Sequence, residues 1–437
     1  MTIARVRRRR LLTPIAVGVV MLALGALPTV AVSAFDPPFA PSSPFNRLVP
    51  TSPTLASNGA GVGSVRRSVN YGEYTPAVYI SSSSQPLYTL RLKNQGSWGN
   101  NPVNGKRVRL PATARPSVDS DGHLTIVVPS EGIAISLFQA ETGPRPDGTW
   151  WATWAGMASL SGPGSNRPDS NGGRESGISQ LAGLIHPDDV RRAIAMGPNG
   201  DLGHALSVGY NMIHTTKFVS PAIKAGGAST SSQGLYMGQK IFLDPKLNLD
   251  PLPWQGTAAN QRFGKLIART LQRYGAIVVT NSGALTFQLW HPNSFTKIGQ
   301  PDPWPALIGP GYGPWYGFTT KAIPASAFRV LAPDQPTPAP TTPTQRSVSI
   351  IGPTAGAILA GSVRWEARPT GFSATRVEFL VDGVRKWTEH LAPYVFGGDS
   401  SRWDTRSVAN GAHTLLARAV ASDGATITRS VGVTVRN

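Results

Sequence analysis

The chain has no cysteine. This absence excludes disulfide bonds, cysteine-ligated zinc sites and thiol nucleophiles, so the fold must be held by the burial of apolar side chains. Charged residues are also scarce, at 15% of the chain, whereas glycine and proline number 47 and 39. A chain with little charge and many turn-forming residues is typical of a β protein with numerous loops.

Long apolar runs are rare as well, and the one that stands out lies near the N-terminus. Residues 15–27 (IAVGVVMLALGAL) follow five arginines and precede Val32-Ser33-Ala34. This order of basic, apolar and small residues predicts a secretory signal peptide over residues 1–34, cleaved after Ala34. The alternative is an uncleaved N-terminal anchor, although the run is short for a membrane-spanning helix, which needs about 20 residues. We therefore expect a secreted, extracellular protein with no membrane segment after cleavage.

The charge balance is strongly basic. The formal net charge is +18, and removal of the five arginines of the predicted signal peptide leaves +13. Outside the cell, excess positive charge favours an anionic partner such as a polysaccharide or an anionic cell-wall polymer, although it also serves simple solubility. Lysine and arginine are scattered rather than clustered with aromatic residues, so no nucleic-acid partner is expected. The sequence predicts no oligomeric state.

Composition divides the mature chain into three parts. Residues 35–331 contain short alternating segments separated by turns, which predicts a large β-rich domain. Two helices are expected within it, from Pro187 to Gly197 and from Thr257 to Tyr274, because both have start and stop signals. Residues 332–346 (APDQPTPAPTTPTQR) are expected to form an extended linker. The predicted fold is mainly β, with a large β-sandwich or jelly-roll-like domain that carries a few helices.

Residues 347–437 form the third part, in which apolar and polar residues alternate. About 90 residues with this strand spacing suit an immunoglobulin-like β-sandwich, and Asp382-Gly383 predicts a hairpin turn. Four strings carry a resemblance to the bacterial immunoglobulin-like domains attached to extracellular carbohydrate-active enzymes and adhesins: VEFLVDG (377–383), APY (392–394), WDT (403–405) and NGAHT (410–414). The resemblance implies a spacer or binding accessory, in which His413 is a strand residue beside a turn.

The large domain also carries a resemblance. Residues 178–206, 238–250 and 267–283 are similar to a group of secreted bacterial proteins of unassigned activity, found beside carbohydrate-active or immunoglobulin-like modules. In that group an acidic residue precedes the histidine of the HAL string, and another acid ends the IVV strand. This chain has Gly203 and Thr280 at those two positions, which puts in doubt any active site inherited from the group.

Carboxylates are few enough to consider one by one, and a glycosidase needs two of them. Glu141 precedes a tryptophan-rich segment. Asp169 and Glu175 lie in or beside residues 161–174, which are expected to form a long exposed loop, and Asp201 closely precedes a histidine. We therefore predict the catalytic residues within one set: Glu141, Asp169, Glu175, Asp201 and His204. The alternative for His204 is a buried histidine with satisfied hydrogen bonds.

Aromatic residues suggest where a sugar would bind. Trp150, Trp151 and Trp154 form a cluster whose ring faces suit stacking on sugars, and with Tyr210 they are predicted to bind substrate. Their alternative role is core packing. The large domain has no phosphate-binding loop, no serine nucleophile elbow and no H-E-x-x-H helix, and its histidines are not paired at metal-ligand spacing. No metal and no cofactor is predicted.

Two reaction types and one non-enzymatic function stay open. The first expectation is a polysaccharide-degrading enzyme, either a glycoside hydrolase or a lyase that uses a histidine or tyrosine base with a neutralising cation. His204, Tyr210, His214 and Lys217 are the sequence candidates for such a lyase, while no serine has a context that marks it as a nucleophile. The alternative is a non-catalytic glycan-binding or cell-wall-associated protein, which the scarcity of carboxylates favours.

Overall fold

The computed structural model describes residues 38–311, 320–338, 347–370, 374–390, 393–398, 401–421 and 425–437. The predicted signal peptide and residues 339–346 of the predicted linker lie outside these ranges. Within the described ranges, no helix has the length and apolar character that crossing a membrane requires.

Short strands and four helices make up the regular structure of the described residues before 339. The strands are β1 (Arg67–Asn70), β2 (Ala77–Ile80), β3 (Leu87–Leu92), β4 (Arg107–Arg109), β5 (Leu124–Val128), β6 (Ile133–Phe138), β7 (Thr149–Ala152), β8 (Trp154–Ser159), β9 (Asn166–Asn171), β10 (Leu206–Tyr210), β11 (Ile213–Phe218), β12 (Leu235–Met237), β13 (Lys240–Leu243), β14 (Ala276–Asn281), β15 (Leu285–Gln288) and β16 (Phe328–Val330). The helices are α1 (Pro187–Ala195), α2 (Ala258–Arg273), α3 (Asn293–Thr296) and α4 (Trp304–Ile308).

Two sheets of the N-terminal half share one apolar core. The first has the strand order β2-β5-β6-β8-β9 and the second has the order β4-β3-β7. Leu90 of β3, Ile135 of β6 and Trp150 of β7 are almost completely buried in the same cluster. Because side chains alternate between the two faces of a strand, each sheet contributes one apolar face to this core. This is packing of the β-sandwich type.

A third, six-stranded sheet has the order β1-β15-β10-β14-β13-β16 and mixes parallel with antiparallel pairs. β1 is parallel to β15 and β10 is parallel to β14, whereas β15 is antiparallel to β10. Val69, Val208 and Phe287 are buried on one face, while residues of even number on β1 and β15 are polar. The sheet therefore has one apolar face and one buried face that carries polar side chains.

Both sequence-predicted helices are present and confirmed. A capping box starts α1: the backbone amide of His186 donates to the Asp189 carboxylate at 2.8 Å, and His186 Nδ1 accepts from the amide of Asp188 at 3.1 Å. Thr257 and Asn260 form the same arrangement at the start of α2, whose Phe263 and Leu271 lie on its buried stripe. Helix α2 packs against β13.

The expectation of a long exposed loop over residues 161–174 is wrong. The structure has strand β9 here, with Asn166 opposite Ala158 and Asn171 opposite Gly156 on β8. Asn166 is buried, and its side-chain amide donates to the carbonyl of Gly172 at 2.7 Å. Backbone and side-chain hydrogen bonds thus hold an edge strand that has no apolar periodicity.

The described residues after 346 form ten strands and one short 3-10 helix, Thr405–Ser407. Their strands are β17 (Ser347–Gly352), β18 (Ile358–Leu359), β19 (Ser362–Val363), β20 (Glu366–Thr370), β21 (Ala374–Val381), β22 (Val384–Glu389), β23 (Tyr394–Val395), β24 (Trp403–Asp404), β25 (Gly411–Ala421) and β26 (Thr426–Val435). They form sheets of the orders β17-β20-β23, β18-β26-β25-β21-β22 and β19-β24.

These C-terminal sheets bury a common core that contains Trp365, Phe379 and Trp403. The predicted turn at Asp382-Gly383 joins β21 to β22, with positive φ values of 49° and 82° at the two residues, as a tight hairpin turn requires. The mainly β fold with β-sandwich packing is therefore confirmed. The division of the chain at residues 34, 331 and 346 stays a prediction.

Candidate functional site

The first two predicted carboxylates are each engaged by cations at the surface. Glu141 lies 2.7 Å from Arg145 Nη2 and 3.3 Å from Lys93 Nζ. The hydrogen bond from Arg145 lowers the pKa of Glu141 below its usual value. Asp169, on β9, is exposed and lies 2.7 Å from Arg167 Nη2. Both carboxylates are therefore charged members of local ion pairs.

The other two predicted carboxylates lie in different surroundings. Glu175 is exposed and accepts a hydrogen bond from the hydroxyl of Thr280. Asp201 is buried, accepts from the backbone amide of Gly203 at 2.8 Å, and lies 2.8 Å from Arg273 Nη1. Asp201 and Arg273 line an open cavity of about 520 Å³.

His204 is buried and has an acceptor at each ring nitrogen. Nδ1 donates to the carbonyl of Ala205 at 2.9 Å, and Nε2 lies 3.2 Å from Asp189 Oδ2. Burial by itself lowers the pKa of His204, but the hydrogen bond to Asp189 and its negative charge outweigh burial and raise the pKa. The ring thus connects the first turn of α1 to the segment before β10.

Two clefts are defined by the residues that line them, and neither of them contains all five predicted catalytic residues. The 520 Å³ cavity contains Asp201 from that set, and the second cleft, described below, is lined by none of them. Of the sequence-based lyase candidates, His214 and Lys217 both lie against Tyr236, with Lys217 Nζ 5.3 Å from the centre of its ring. His204 is engaged instead with Asp189, and Tyr210 is buried.

The predicted substrate-binding tryptophans differ in exposure. Trp150 is fully buried, and its Nε1 donates to the carbonyl of Glu141 at 2.9 Å, so it offers no ring face to a ligand. Trp151 is half-buried, with the Arg145 guanidinium 4.7 Å from its ring centre. Trp154 is also half-buried and contacts Trp98, whose ring is 58% exposed.

The second cleft, of about 290 Å³, lies over the polar face of the six-stranded sheet. Ser68 pairs with Thr286, Thr286 with Gly209, and Gly209 with Thr280, so these four positions form a row across β1, β15, β10 and β14. The Ser68 and Thr286 hydroxyls lie 3.1 Å apart. At Gly209 a side chain would meet Ser282, because an added Cβ would come within 2.7 Å of the Ser282 Cβ. The floor is therefore polar and closely packed.

A second row of the same floor contains two amides. Asn70 on β1 pairs with Gln288 on β15, and both side chains are buried. Gln288 Oε1 accepts from Arg174 Nη2 at 2.6 Å and from the Ser207 hydroxyl at 3.2 Å. Burial lowers the pKa of Arg174 to about 9. This buried guanidinium holds the Gln288 amide in one orientation.

One wall of the cleft contains an aspartate and a histidine in contact. Asp121 Oδ2 lies 3.5 Å from His123 Nε2, and the other ring nitrogen lies 2.6 Å from Gln180 Nε2. The Gln180 nitrogen also faces the carbonyls of Leu137 and Gly173, which require a donor. His123 Nδ1 thus lies beside the Gln180 amide, and Nε2 lies on the side of Asp121. The Asp121 carboxylate is 39% exposed and therefore accessible from the cleft.

Tyr74 and Arg66 also line the cleft. Tyr74 has φ of 51°, in the left-handed region that a bulky residue rarely adopts. Its carbonyl accepts from Gln288 Nε2 at 2.9 Å and from Asn70 Nδ2 at 3.2 Å, and its amide donates to Asp119 at 2.7 Å. These bonds hold the strained residue beside the polar floor, and such strain is concentrated at functional sites.

The residues that line the cleft include one aspartate, one histidine, one tyrosine and one arginine, together with several neutral donors and acceptors. Asp121 is the one acidic residue among the described residues that line it. In the described part of the chain, no group of three or more histidine and acidic side chains is placed to hold a metal ion.

Sequence reasoning missed this cleft. Asp121 carries no local sequence signal beyond the turn that it forms with Gly122, whose φ is 46°. The usable signal is alternation: Ser68 and Asn70 of β1, and Thr286 and Gln288 of β15, put polar groups on one face, opposite Val69, Leu285 and Phe287.

No protein-family model and no curated protein matches the chain. Solved structures similar to parts of it include the fibronectin(III)-like modules of Clostridium thermocellum CbhA, at 25% identity over 20% of this chain and 95% of that chain, with a TM-score of 0.17. Two endo-β-1,4-mannanases are also similar to parts of the chain. The enzyme from Thermotoga petrophila has 22% identity over 21% of this chain and 20% of that chain, with a TM-score of 0.18. A double mutant of the Cellulomonas fimi enzyme has 15% identity over 57% of this chain and 43% of that chain, with a TM-score of 0.16. The chain spans less than half the length of either mannanase. These neighbours include carbohydrate-related proteins, at similarities too low to support an argument about activity.

Proposed function

We propose that the protein is a secreted carbohydrate-active enzyme that cleaves an acidic polysaccharide by elimination in the polar cleft. The observation that supports this proposal is the presence of Asp121, Tyr74 and Arg66 around one small polar cleft, without a second carboxylate among its described lining residues. Hydrolysis of a glycosidic bond requires two carboxylates, whereas elimination needs a base, an acid and a group that neutralises the uronate.

In the proposed reaction, Asp121 removes the proton on the carbon next to the uronate carboxylate. The electron pair left on that carbon forms a double bond to the neighbouring ring carbon as the glycosidic oxygen leaves. Tyr74 donates a proton to that oxygen. Arg66 and the amides of Asn70 and Gln288 stabilise the charge that develops on the carboxylate, the role of preorganised donors in an active site.

The charge of the chain fits this substrate class. Excess positive charge attracts an anionic polymer and raises its local concentration near the cleft. Secretion, with cleavage after Ala34, is part of the proposal because a polysaccharide of this kind lies outside the cell.

The test is incubation of the purified chain with polygalacturonate, alginate, hyaluronan and β-mannan. We expect ultraviolet absorbance from new unsaturated ends with at least one acidic polymer. Asp121→Asn should lower this rate by about 10²–10⁴-fold, the usual contribution of a general base. Asp250→Asn is the matched control, since this exposed carboxylate, 3.0 Å from Lys265, lies outside the cleft lining. New reducing ends without absorbance would indicate hydrolysis instead, and an unaffected Asp121→Asn variant would contradict the role of the cleft.

A non-catalytic glycan-binding function is the second candidate. It is favoured by the exposed ring of Trp98 against Trp154, which is a surface suited to stacking on sugars. Retention of the chain on a polysaccharide column without any product would support binding over catalysis.

A further inference from the structure

An aromatic row extends from the surface to the wall of the cleft. Its outer end is Trp98, and the ring centres of Trp98 and Trp154 are 5.8 Å apart with an angle of 68° between the planes. Trp154 on β8 pairs with Phe138 on β6, so the two side chains lie on the same face of the sheet. The Phe138 ring centre is 6.0 Å from that of His123, which lines the cleft.

The backbone connects the inner end of the row to the carboxylate. Gln139 follows Phe138, and its amide donates to the carbonyl of Asp121 at 2.8 Å. Its side-chain Oε1 accepts from the Thr153 hydroxyl at 2.9 Å, beside Trp154. The inner end of the aromatic row is therefore joined by backbone hydrogen bonds to the turn that carries the proposed base.

The outer end of the row is held in place although it is exposed. Gly96 and Gly99 exchange backbone hydrogen bonds at 2.9 and 3.3 Å, and the Trp98 amide donates to the Asn94 carbonyl at 3.0 Å. The loop is fixed to β8 by Asn101 Nδ2, which donates to the carbonyl of Ala155 at 2.8 Å. The Trp98 ring is therefore presented to solvent from a backbone of fixed geometry.

We propose that Trp98, Trp154 and Phe138 form a row of outer subsites, which bind successive sugar rings of the polymer whose reacting unit occupies the cleft. This inference rests on the proposed function, since the row is useful for catalysis only when the cleft holds one end of the same chain. It adds a prediction that the cleft alone does not make: affinity depends on chain length, through contacts outside the cleft.

The test uses Trp98→Ala in the full chain that also carries Asp121→Asn, so that the polymer stays intact. Quenching of tryptophan fluorescence reports binding of polygalacturonate and alginate, each as long polymer and as disaccharide. We expect Trp98→Ala to weaken polymer binding by about tenfold, as for truncation of a well-placed interface tryptophan, and to leave disaccharide binding unchanged. Trp98→Phe, which keeps an aromatic face, should restore most of the affinity.

Trp387→Ala is the matched control, because Trp387 is also exposed, at 39%, but lies on β22 of the C-terminal sheets. It should leave polymer binding unchanged. If Trp98→Ala weakened the binding of polymer and disaccharide equally, or left both unchanged, the proposal of outer subsites would be contradicted. The proposed function is tested separately, by measuring product formation with the chain in which Asp121 is intact. Binding that depends on chain length, without any product, would support the outer subsites and contradict elimination.

Discussion

At the scale of single residues, His204 and Asp189 form a buried ion pair that connects two parts of the sequence. Asp189 Oδ2 also accepts from the backbone amide of His186, and its Oδ1 accepts from Arg192 at 2.7 Å. Burial by itself raises the pKa of Asp189, but the hydrogen bond with His204 and the nearby positive charges hold it below its usual value. Every acceptor of this carboxylate is used within the fold, which favours a structural role for the pair.

The pair makes stability depend on pH. The raised pKa of His204 contributes stability that is complete below the unfolded value of 6.5 and is lost as the pH rises through the folded pKa. We expect His204→Gln to lower the free energy of unfolding by about 3 kcal/mol at pH 5.5, because it leaves the buried carboxylate without its partner, and by less at pH 8.5. Urea unfolding at the two pH values measures this difference.

His214→Gln is a suitable comparison, since His214 Nδ1 accepts from the amide of Thr216 rather than facing a carboxylate. This variant should not reproduce the loss of about 3 kcal/mol that we expect for His204→Gln at pH 5.5, because it leaves no buried carboxylate without its partner. A His204→Gln loss that grows from pH 5.5 to pH 8.5 would contradict the assignment of the charged ring to the folded state.

At the scale of elements, helix α2 is fastened at its first turn. The Thr257 hydroxyl accepts from the Asn260 amide at 3.3 Å, and the Asn260 side chain returns a bond by accepting from the Thr257 amide at 2.9 Å. Asn260 Nδ2 also donates to the carbonyl of Ile308 at 2.6 Å, the last residue of α4. The cap therefore stabilises the helix and the contact between two helices.

We expect Thr257→Ala to lower the free energy of unfolding by about 1 kcal/mol, because one backbone amide at the helix start loses its acceptor. Thr257→Ser keeps the hydroxyl and should stay close to the parent protein. Chemical denaturation of the three proteins makes the comparison, and equal stability of the alanine and serine variants would show that the side-chain cap contributes nothing.

Helices α1 and α2 could be predicted because their signals are local: a cap, a stripe and a glycine stop within one short segment. The cleft could not, because it depends on strand register. Ser68 and Thr286 meet across a separation of 218 residues, and the sequence does not state which strands will be neighbours. The same limit applies to Trp150. The pattern around it predicts a strand, but it does not show which face of that strand is covered by the second sheet.

At the scale of the whole molecule, the predicted linker does not begin as a free segment. Ala332 donates to the carbonyl of Thr54 at 2.9 Å, and Leu48 donates to the carbonyl of Pro338 at 2.9 Å. Residues 332–338 are therefore hydrogen-bonded to residues 48–54. A domain boundary placed at 331 would remove these bonds, so a boundary after 338 fits the described residues better.

The division of the chain can be tested by limited proteolysis with trypsin. Arg346 ends the proline- and threonine-rich sequence and is followed by Ser347, and exposed connections with small or polar residues are preferred sites of cleavage. We expect the first cut after Arg346, which gives two fragments that keep their β structure by circular dichroism. Arg346→Gln should slow this first cut. Early cuts within β21 or β25, or unfolding of both fragments after one cut, would argue against separate domains.

The backbone at Tyr74 has a consequence for protein engineering. A non-glycine residue in the left-handed region costs about 1–3 kcal/mol, a cost that glycine does not carry. Selection of variants for heat resistance alone would therefore favour glycine at this position, while removing the phenol from the cleft. Mutant libraries designed to raise the thermal stability of this protein should keep Tyr74, because glycine at this position would gain stability at the expense of the function of the cleft.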